Sequence, residues 1–415
     1  KSKQKGYDVD IETLLEIDKK QRKLLVELEQ ARSKRNEYSK SLGKGKPTEL
    51  QIEKGKILKE RVTVLEQKIT PLNIEINDLL KAIPNMPLNS VPIGSSEDDN
   101  VVTKVIGKPT EFGFTPKNHA DIAYSKDWLD KERAAKVAGS RFAYLKGDLV
   151  LLDWAINMFA LSKLTDETFI AKLIQDNELN IDAKAFVPVQ PPAVAKTEVY
   201  DSTGRLNKEE QTYKLADDDL WLNASAEHVL APMYLNEIIQ ESDLPIRYVG
   251  YTTAFRREAG TYGKDMEGIL RLHQFNKLEM ESFTTPETSF DEHKLMIAIQ
   301  EYLMQQLNLP YRVVTKCTAD IGGPNASGVD IDVWLPGQDK YRETHTADLM
   351  TDYQCRRMQT RIRRKDGSIE FAHTNDATAL SQRPLIAIIE NYQTKEGDVI
   401  VPEVLRPYMG GRTQI

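Results

Sequence analysis

Cysteine is scarce in this chain. The two present among 415 residues, Cys317 and Cys355, are too few for a disulfide framework and lack the CxxC or Cys/His spacing of a structural zinc site. A reducing compartment suits that usage. Long apolar runs are also missing: nothing approaches the roughly 18 uninterrupted apolar residues of a membrane-spanning helix, and no segment near the start has the form of a secretory signal. Neither a P-loop GxxxxGK[ST] nor a GxGxxG stands at a strand-to-helix junction, which excludes those two modes of nucleotide binding. The first residue is Lys1 rather than Met, so any address carried by a precursor is not legible.

What the chain does hold is ample material for two domains, with 40% hydrophobic and 29% charged residues. Its net charge of −7 speaks superficially against a nucleic-acid partner, but the charge is uneven. Residues 11–83 carry 16 Lys/Arg against 12 Asp/Glu, and residues 32–59 carry nine against three. The default reading of such a run is a solvated helical face. Periodicity gives it a place. Leu58, Val62, Leu65, Ile69, Leu72, Ile76, Leu79 and Ile83 follow an unbroken 4-3 spacing, and a weaker stripe of Ile17, Leu24, Leu28, Ala31, Tyr38 and Leu42 precedes it. Gly43 to Pro47 separates the two with helix-breaking residues. The pattern predicts a long antiparallel helical hairpin, kinked near Thr70 by Pro71, with its basic residues around the tip: Arg32, Lys34, Arg35, Lys40, Lys44, Lys46, Lys54 and Lys56.

Two prolines in Ile83-Pro84-Asn85-Met86-Pro87 should end the hairpin, and a polar linker follows. We therefore expect residues 1–99 to form an arm with its linker and 100–415 a second domain. The latter mixes strand-like runs (248–255, 269–281, 329–334) with helical ones (148–161, 289–306), which points to an α+β body built on an antiparallel sheet flanked by helices.

The densest chemistry lies between Tyr251 and Glu281. If Phe255 to Glu258 continues a strand, Arg256 and Glu258 share a face; 259–268 would be a glycine-rich loop; and on a return strand from Ile269, Arg271, His273, Phe275, Lys277 and Glu279 share a face. An Arg fork suits a phosphate, a Phe ring suits a base, and carboxylates suit amino groups. Cross-strand ion pairs on a solvated sheet would explain any single pair, but not all of these together.

The segments Tyr251-Thr-Thr-Ala-Phe-Arg-Arg-Glu-Ala-Gly260 and Gly268-Ile-Leu-Arg-Leu-His-Gln-Phe-Asn-Lys-Leu-Glu279 closely resemble motif 2 of class II aminoacyl-tRNA synthetases, specifically the seryl enzymes. The hairpin resembles that family's tRNA-binding arm. The stretch opening near Gly139 to Gly147, with the strand ending at Pro191-Pro192, is similar to its dimer-forming motif 1, and Leu385 to Gln393 and Val401 to Met409 extend the likeness. The resemblance implies roles position by position. Arg256 would grip the α-phosphate and the substrate carboxylate, Glu258 would accept from the adenine amino group, and Phe275 would stack on adenine, with Arg257 and Leu272 beside the nucleotide. Ser225, Ala226 and Glu227 match the Thr-x-Glu signature that contacts serine, and Glu279 would hold the serine amino group or hydroxyl. Glu343, Thr344, His345 and Thr346 match the segment binding ATP phosphates and Mg²⁺, with Glu343 and Thr346 as oxygen ligands. Arg383 corresponds to the motif 3 arginine on the γ-phosphate. Arg256, Glu343 and Arg383 would be the catalytic set. Asn375 and Thr378 complete the serine contacts, although Thr378 sits one position later than the family's usual hydroxyl.

The implied activity is that of a homodimeric ligase joining L-serine to tRNA(Ser) at the expense of ATP, with no membrane partner. A carrier-protein ligase of similar fold would generally lack the arm, and a catalytically silent relative would be expected to lose Arg256, Glu258 or Glu343. The missing initiator Met and altered motif 3 are more similar to fungal organellar members than to bacterial ones, so a mitochondrial matrix is the expected location, with cytoplasm the alternative.

Overall fold

The two heptad stripes become helices α1 (Ile11–Ser41) and α2 (Glu49–Ala82) in a computed structural model that describes residues 1–43, 47–206, 211–258 and 268–415. Asp10 caps α1 by accepting from the Thr13 N–H at 2.9 Å, and Thr48 with Gln51 forms a reciprocal capping box at the start of α2. Leu28 and Ala31 meet Val62, Leu65 and Ile69, with Leu24 packed against them. Helix α2 runs uninterrupted through Pro71. Arg32–Glu66 at 2.9 Å and Arg61–Glu27 at 3.1 Å link the helices, but both pairs are exposed and contribute little beside the apolar stripe.

The chain divides into two compact units, Lys1–Pro84 and Asn85–Ile415. Residues 85–99, grouped with the arm on the sequence, start the second unit. Asn85 donates its side-chain amide to Pro324 O at 2.8 Å and Met350 O at 2.6 Å, and its N–H to Gly323 O at 2.8 Å. Linker-like composition gives no sign of which buried carbonyls such a segment will satisfy.

The second unit is built on eight strands: β1 (Val101–Ile106), β2 (Val187–Val189), β3 (Ile246–Phe255), β4 (Gln274–Thr284), β5 (Tyr311–Thr315), β6 (Ser327–Leu335), β7 (Lys340–Thr351) and β8 (His373–Leu380). Their order is β1-β5-β6-β7-β8-β4-β3-β2, antiparallel throughout except for the β2–β3 edge. The helices important here are α3 (Asp148–Leu164), α4 (Glu227–Leu230), α5 (Ser289–Gln306), α6 (Tyr353–Met358) and α7 (Gln382–Asn391). Apolar residues of α3, α5 and α7 share one core with Leu278 and Met280 of β4, Ile331 and Val333 of β6, and Ala347 of β7. One sheet face is thus dry, and the other is left for polar side chains. No helix among the described residues is long and apolar enough to cross a membrane.

A fully buried ion pair ties β3 to α5. Arg247 directs Nε to Glu292 Oε2 at 2.9 Å and Nη2 to Glu292 Oε1 at 2.5 Å, and also donates to the carbonyls of Lys184 and Asp182. Both side chains have no exposed surface, so neither charge can turn to water. Arg247→Met, which strands the Glu292 carboxylate, is expected to cost about 3–5 kcal/mol in urea unfolding, whereas Arg247→Met/Glu292→Leu recovers most of it; equal losses in the two would contradict this account.

Candidate functional site

Register decides which side chains reach the open face. Strand β4 lies between β3 and β8, with Gly250 and Thr378 both opposite Glu279, Thr252 opposite Lys277, Ala254 opposite Phe275, and Asp376 opposite Glu281. Phe275, Lys277, Glu279 and Glu281 therefore share the face turned away from Leu278 and Met280. Gly250 allows a close approach from above: a Cβ there would stand 2.8 Å from Leu230 Cδ1. Short helix α4 can thus settle on the strands with Ser225 and Glu227 at its start. Lys277 joins the two groups, with Nζ 2.5 Å from Glu279 Oε2 and donating to Ser225 Oγ at 3.2 Å.

A β-bulge shapes the neighbouring strand. Ile331 pairs with His345 and Asp332 with Glu343, so Thr344 is an extra residue in β7. The insertion brings Glu343 and Thr346 to the same face, with Thr346 Oγ1 donating to Glu343 Oε1 at 3.4 Å. On α7, Arg383 donates to Glu343 O at 2.6 Å and lies 3.2 Å from its carboxylate. Desolvation opposes ionisation of Glu343, but Arg383, with Lys316, overrides it and draws the carboxyl down to about 2. Its side chain is 48% exposed, so solvent tempers that attraction while leaving it anionic.

The same bulge turns the side chains of Thr344 and His345 away from the open face. Thr344 donates its hydroxyl to Ile331 O at 3.0 Å, and His345 follows Ile331 into the core, where burial drives its imidazole down to about 3. Asn375 is a third correction: it pairs with Ser282 in register and donates to its hydroxyl at 3.3 Å, on the opposite face from Asp376 and Thr378. Alternation carried that signal, since residues three apart in a regular strand cannot share a face.

The motif 2 hairpin also departs from the expected strands. β3 stops at Phe255 and β4 begins only at Gln274, so Arg271 and His273 lie outside the strand and Glu258 adopts a positive φ of 50°. Arg256 and His273 still exchange backbone contact through Arg256 N–H to His273 O at 2.8 Å. The Arg256 guanidinium lies 5.1 Å from the Phe275 ring centroid, and Glu258 accepts from Arg271 Nε. Arg257 extends over Tyr213, 5.8 Å from its centroid. Leu272 is a buried core residue that, with Phe275, Gln382, Asp153 and Trp154, lines a half-open pocket of about 180 Å³. Of the expected loop over 259–268, residues 259–267 lie outside the described residues.

Several site residues were not singled out from the sequence. Arg205 contacts Glu227 at 2.8 Å, Asp348 at 3.3 Å and Asp376 at 3.6 Å. Glu281 is fully buried, and desolvation raises its carboxyl well above the usual range, with Asp376 and Glu227 adding to the effect. Desolvation likewise raises Glu279 against the pull of Lys277. On the arm, Arg32 is held by Glu29 and Glu66, Arg35 by Asn36, and Lys54 lies over the Tyr38 ring; Lys34, Lys40 and Lys56 are exposed. Lys44 and Lys46 lie outside the described residues.

Comparison with known proteins agrees across both units. Residues 1–87 match the family described as "Seryl-tRNA synthetase N-terminal domain", and residues 212–392 that described as "tRNA synthetase class II core domain (G, H, P, S and T)". The chain is 39% identical to a serine–tRNA ligase from Thermodesulfovibrio yellowstonii, covering 98% of this chain and 94% of that one. Another from Nitratidesulfovibrio vulgaris is 41% identical with the same coverage. Among solved structures, it is similar to seryl-tRNA synthetase from Pyrococcus horikoshii complexed with ATP, at TM-score 0.85 and 36% identity over 98% of this chain and 93% of that one. The cytoplasmic serine–tRNA ligase from Naegleria fowleri in complex with AMP gives 0.80 and 30%, over 98% and 91%.

The register separates two neighbouring polar residues by face. Thr378→Val is expected to weaken amino-acid binding by about 1–3 kcal/mol by removing a hydroxyl beside Glu279. Asn375→Ala should lower the thermal midpoint but leave amino-acid affinity within about twofold. Isothermal titration on both variants checks this, and the reverse pattern would place Asn375 on the open face.

Proposed function

The chain belongs to the seryl-tRNA synthetases, and from that premise we propose how its residues divide the work. It activates L-serine with ATP to seryl-adenylate and transfers the seryl group to the 3′ end of tRNA(Ser), releasing pyrophosphate and AMP. In the first step a serine carboxylate oxygen bonds to the α-phosphorus as the bond to the bridging pyrophosphate oxygen breaks. In the second, a terminal ribose hydroxyl of tRNA attacks the activated carbonyl and AMP departs.

Serine would lie between Glu279, Thr378, Ser225 and Glu227, its ammonium and hydroxyl meeting carboxylates and its carboxylate meeting Arg256. Alanine would leave those buried polar groups unpaired, which disfavours it more strongly than loss of volume alone. Arg256 and Arg383 would face the phosphates and spread the charge of the transferring phosphoryl group, so catalysis rests on positioning and electrostatics. Phe275 would stack on adenine, and Glu258, held by Arg271, would accept from its amino group.

Glu343 and Thr346 suit Mg²⁺: both offer hard oxygen atoms, they converge on one face, and the carboxylate stays ionised. Among the described residues no group of three or more His, Cys, Asp or Glu could hold a metal unaided, so phosphate oxygens would complete the coordination. The cation would neutralise phosphate charge when bound.

The arm's exposed Lys34, Lys40 and Lys56 suit the tRNA backbone, in which case affinity falls with salt. Leu151, Trp154 and Met158, at 37%, 58% and 52% exposure, form a 3-4 stripe along α3, supporting a second copy as its cover.

The observation that carries the pocket assignment is the shared register of Glu279 and Thr378 beside Ser225. Serine-dependent ATP–pyrophosphate exchange, followed by charging of purified tRNA(Ser), tests the whole reading; exchange without charging would instead indicate a carrier ligase. Glu343→Gln and Arg383→Ala should each lower exchange kcat at least about 100-fold, and above pH 4 the wild-type profile should show no limb from Glu343. Trp154→Asp is expected to halve the mass measured by light scattering; a wild-type monomer would rule out the pairing.

A further inference from the structure

Arg205 lies in no motif, yet its guanidinium ties together three elements beneath the amino-acid pocket. Nε donates to Glu227 Oε1 of α4 at 2.8 Å, Nη2 lies 3.3 Å from Asp348 of β7, and Nη2 lies 3.6 Å from Asp376 of β8. Two glycines make this possible. Gly204 turns the chain at φ +75°, where a Cβ would meet the Tyr353 ring at 2.9 Å; at Gly322 a Cβ would stand 3.1 Å from Arg205 Nη1. Larger residues at either point would displace the guanidinium or its support.

Glu227 Oε1 has a second donor. Gln354 Nε2 of α6 reaches it at 2.9 Å, while Gln354 Oε1 accepts from Thr374 Oγ1 at 2.8 Å. Two donors converging on one oxygen fix the plane of the carboxylate. The other oxygen, Oε2, has His228 Nε2 at 4.0 Å. Burial keeps that imidazole neutral, with Arg205 among the cations opposing its protonation, so it offers no ammonium-like competitor. Asp348 and Asp376 are register partners on the same face, and without a cation between them two buried carboxylates would repel each other and Glu227.

We propose that Arg205 is a positioning residue for the amino acid: by holding Oε1 of Glu227 and balancing Asp348 and Asp376, it aims Glu227 Oε2 at the substrate ammonium group. This rests on the assignment of Glu227 to the serine pocket. A guanidinium suits the task better than an ammonium, because its planar fork addresses several carboxylates in fixed geometry.

Steady-state pyrophosphate exchange separates positioning from general structural support. Arg205→Lys keeps the charge and loses the fork; the serine KM should rise about tenfold, while the ATP KM stays within about twofold. Arg205→Met should give a larger rise, and Arg205→Met/Asp348→Asn/Asp376→Asn, relieved of the charge imbalance, should match the wild-type thermal midpoint and still show a raised serine KM. If Arg205→Met misfolds, the other two variants carry the test. In a Glu227→Gln background, adding Arg205→Lys should change the serine KM little, since the two act through one carboxylate. A serine KM unchanged in Glu227→Gln overturns the pocket assignment and the proposal with it. A raised KM there, with an unchanged one in both folded Arg205 variants, overturns the role of Arg205 alone, as does a parallel rise of the serine and ATP KM values.

Discussion

The pairing register of β4 is the constraint on which the catalytic face depends. With β3 on one side and β8 on the other, it determines that Lys277 and Glu279 face the open side while Leu278 and Met280 face the core. A slip of one residue would exchange the two sets, burying charge and exposing the apolar residues. Helix α5 reinforces the register from below: Gln300 Nε2 donates to the carbonyls of Thr346 and Thr378, beside the two bulged strands where ladder bonds are interrupted. The irregular backbone that aims the site is thereby satisfied from the dry side.

Charge in the two units works differently. The arm's ion pairs lie in water and add little to its packed stripe. On the catalytic face, Arg205, Lys277, Lys316 and Arg383 each lie within 4 Å of at least one carboxylate, in an interior where charge interactions are felt strongly. Removing one partner there leaves the other costly to keep charged, so these residues act as a group. A buried carboxyl such as Glu281 relieves the acidic excess by holding its proton more tightly.

The hairpin was legible because a heptad stripe is a local signal: the side chains that form it are neighbours along the helix. The core strands were legible for the same reason, and the helix at 289–306 was read with its observed limits. What escaped depended on distant partners. No pattern near Thr344 announces that a bulge will bury Thr344 and His345, because the bulge exists only against β6. Arg205 draws its meaning from carboxylates far along the chain, and the limits of the motif 2 hairpin are set by contacts beyond its strands. Alternation alone separates Asn375 from Thr378, because residues three apart in a regular strand point to opposite faces.

The sheet order has a consequence for the sequence of events during synthesis. The arm closes through contacts between helices that are adjacent in the chain, so it can fold soon after it emerges. The open face of the sheet cannot: Thr378, on β8, must pair with a strand made about a hundred residues earlier, and β1 must wait for β5, some 200 residues later. Until then β4 presents an unpaired edge. A nascent chain would therefore carry a finished helical arm alongside an unfinished sheet, and that interval is when it is most exposed to aggregation.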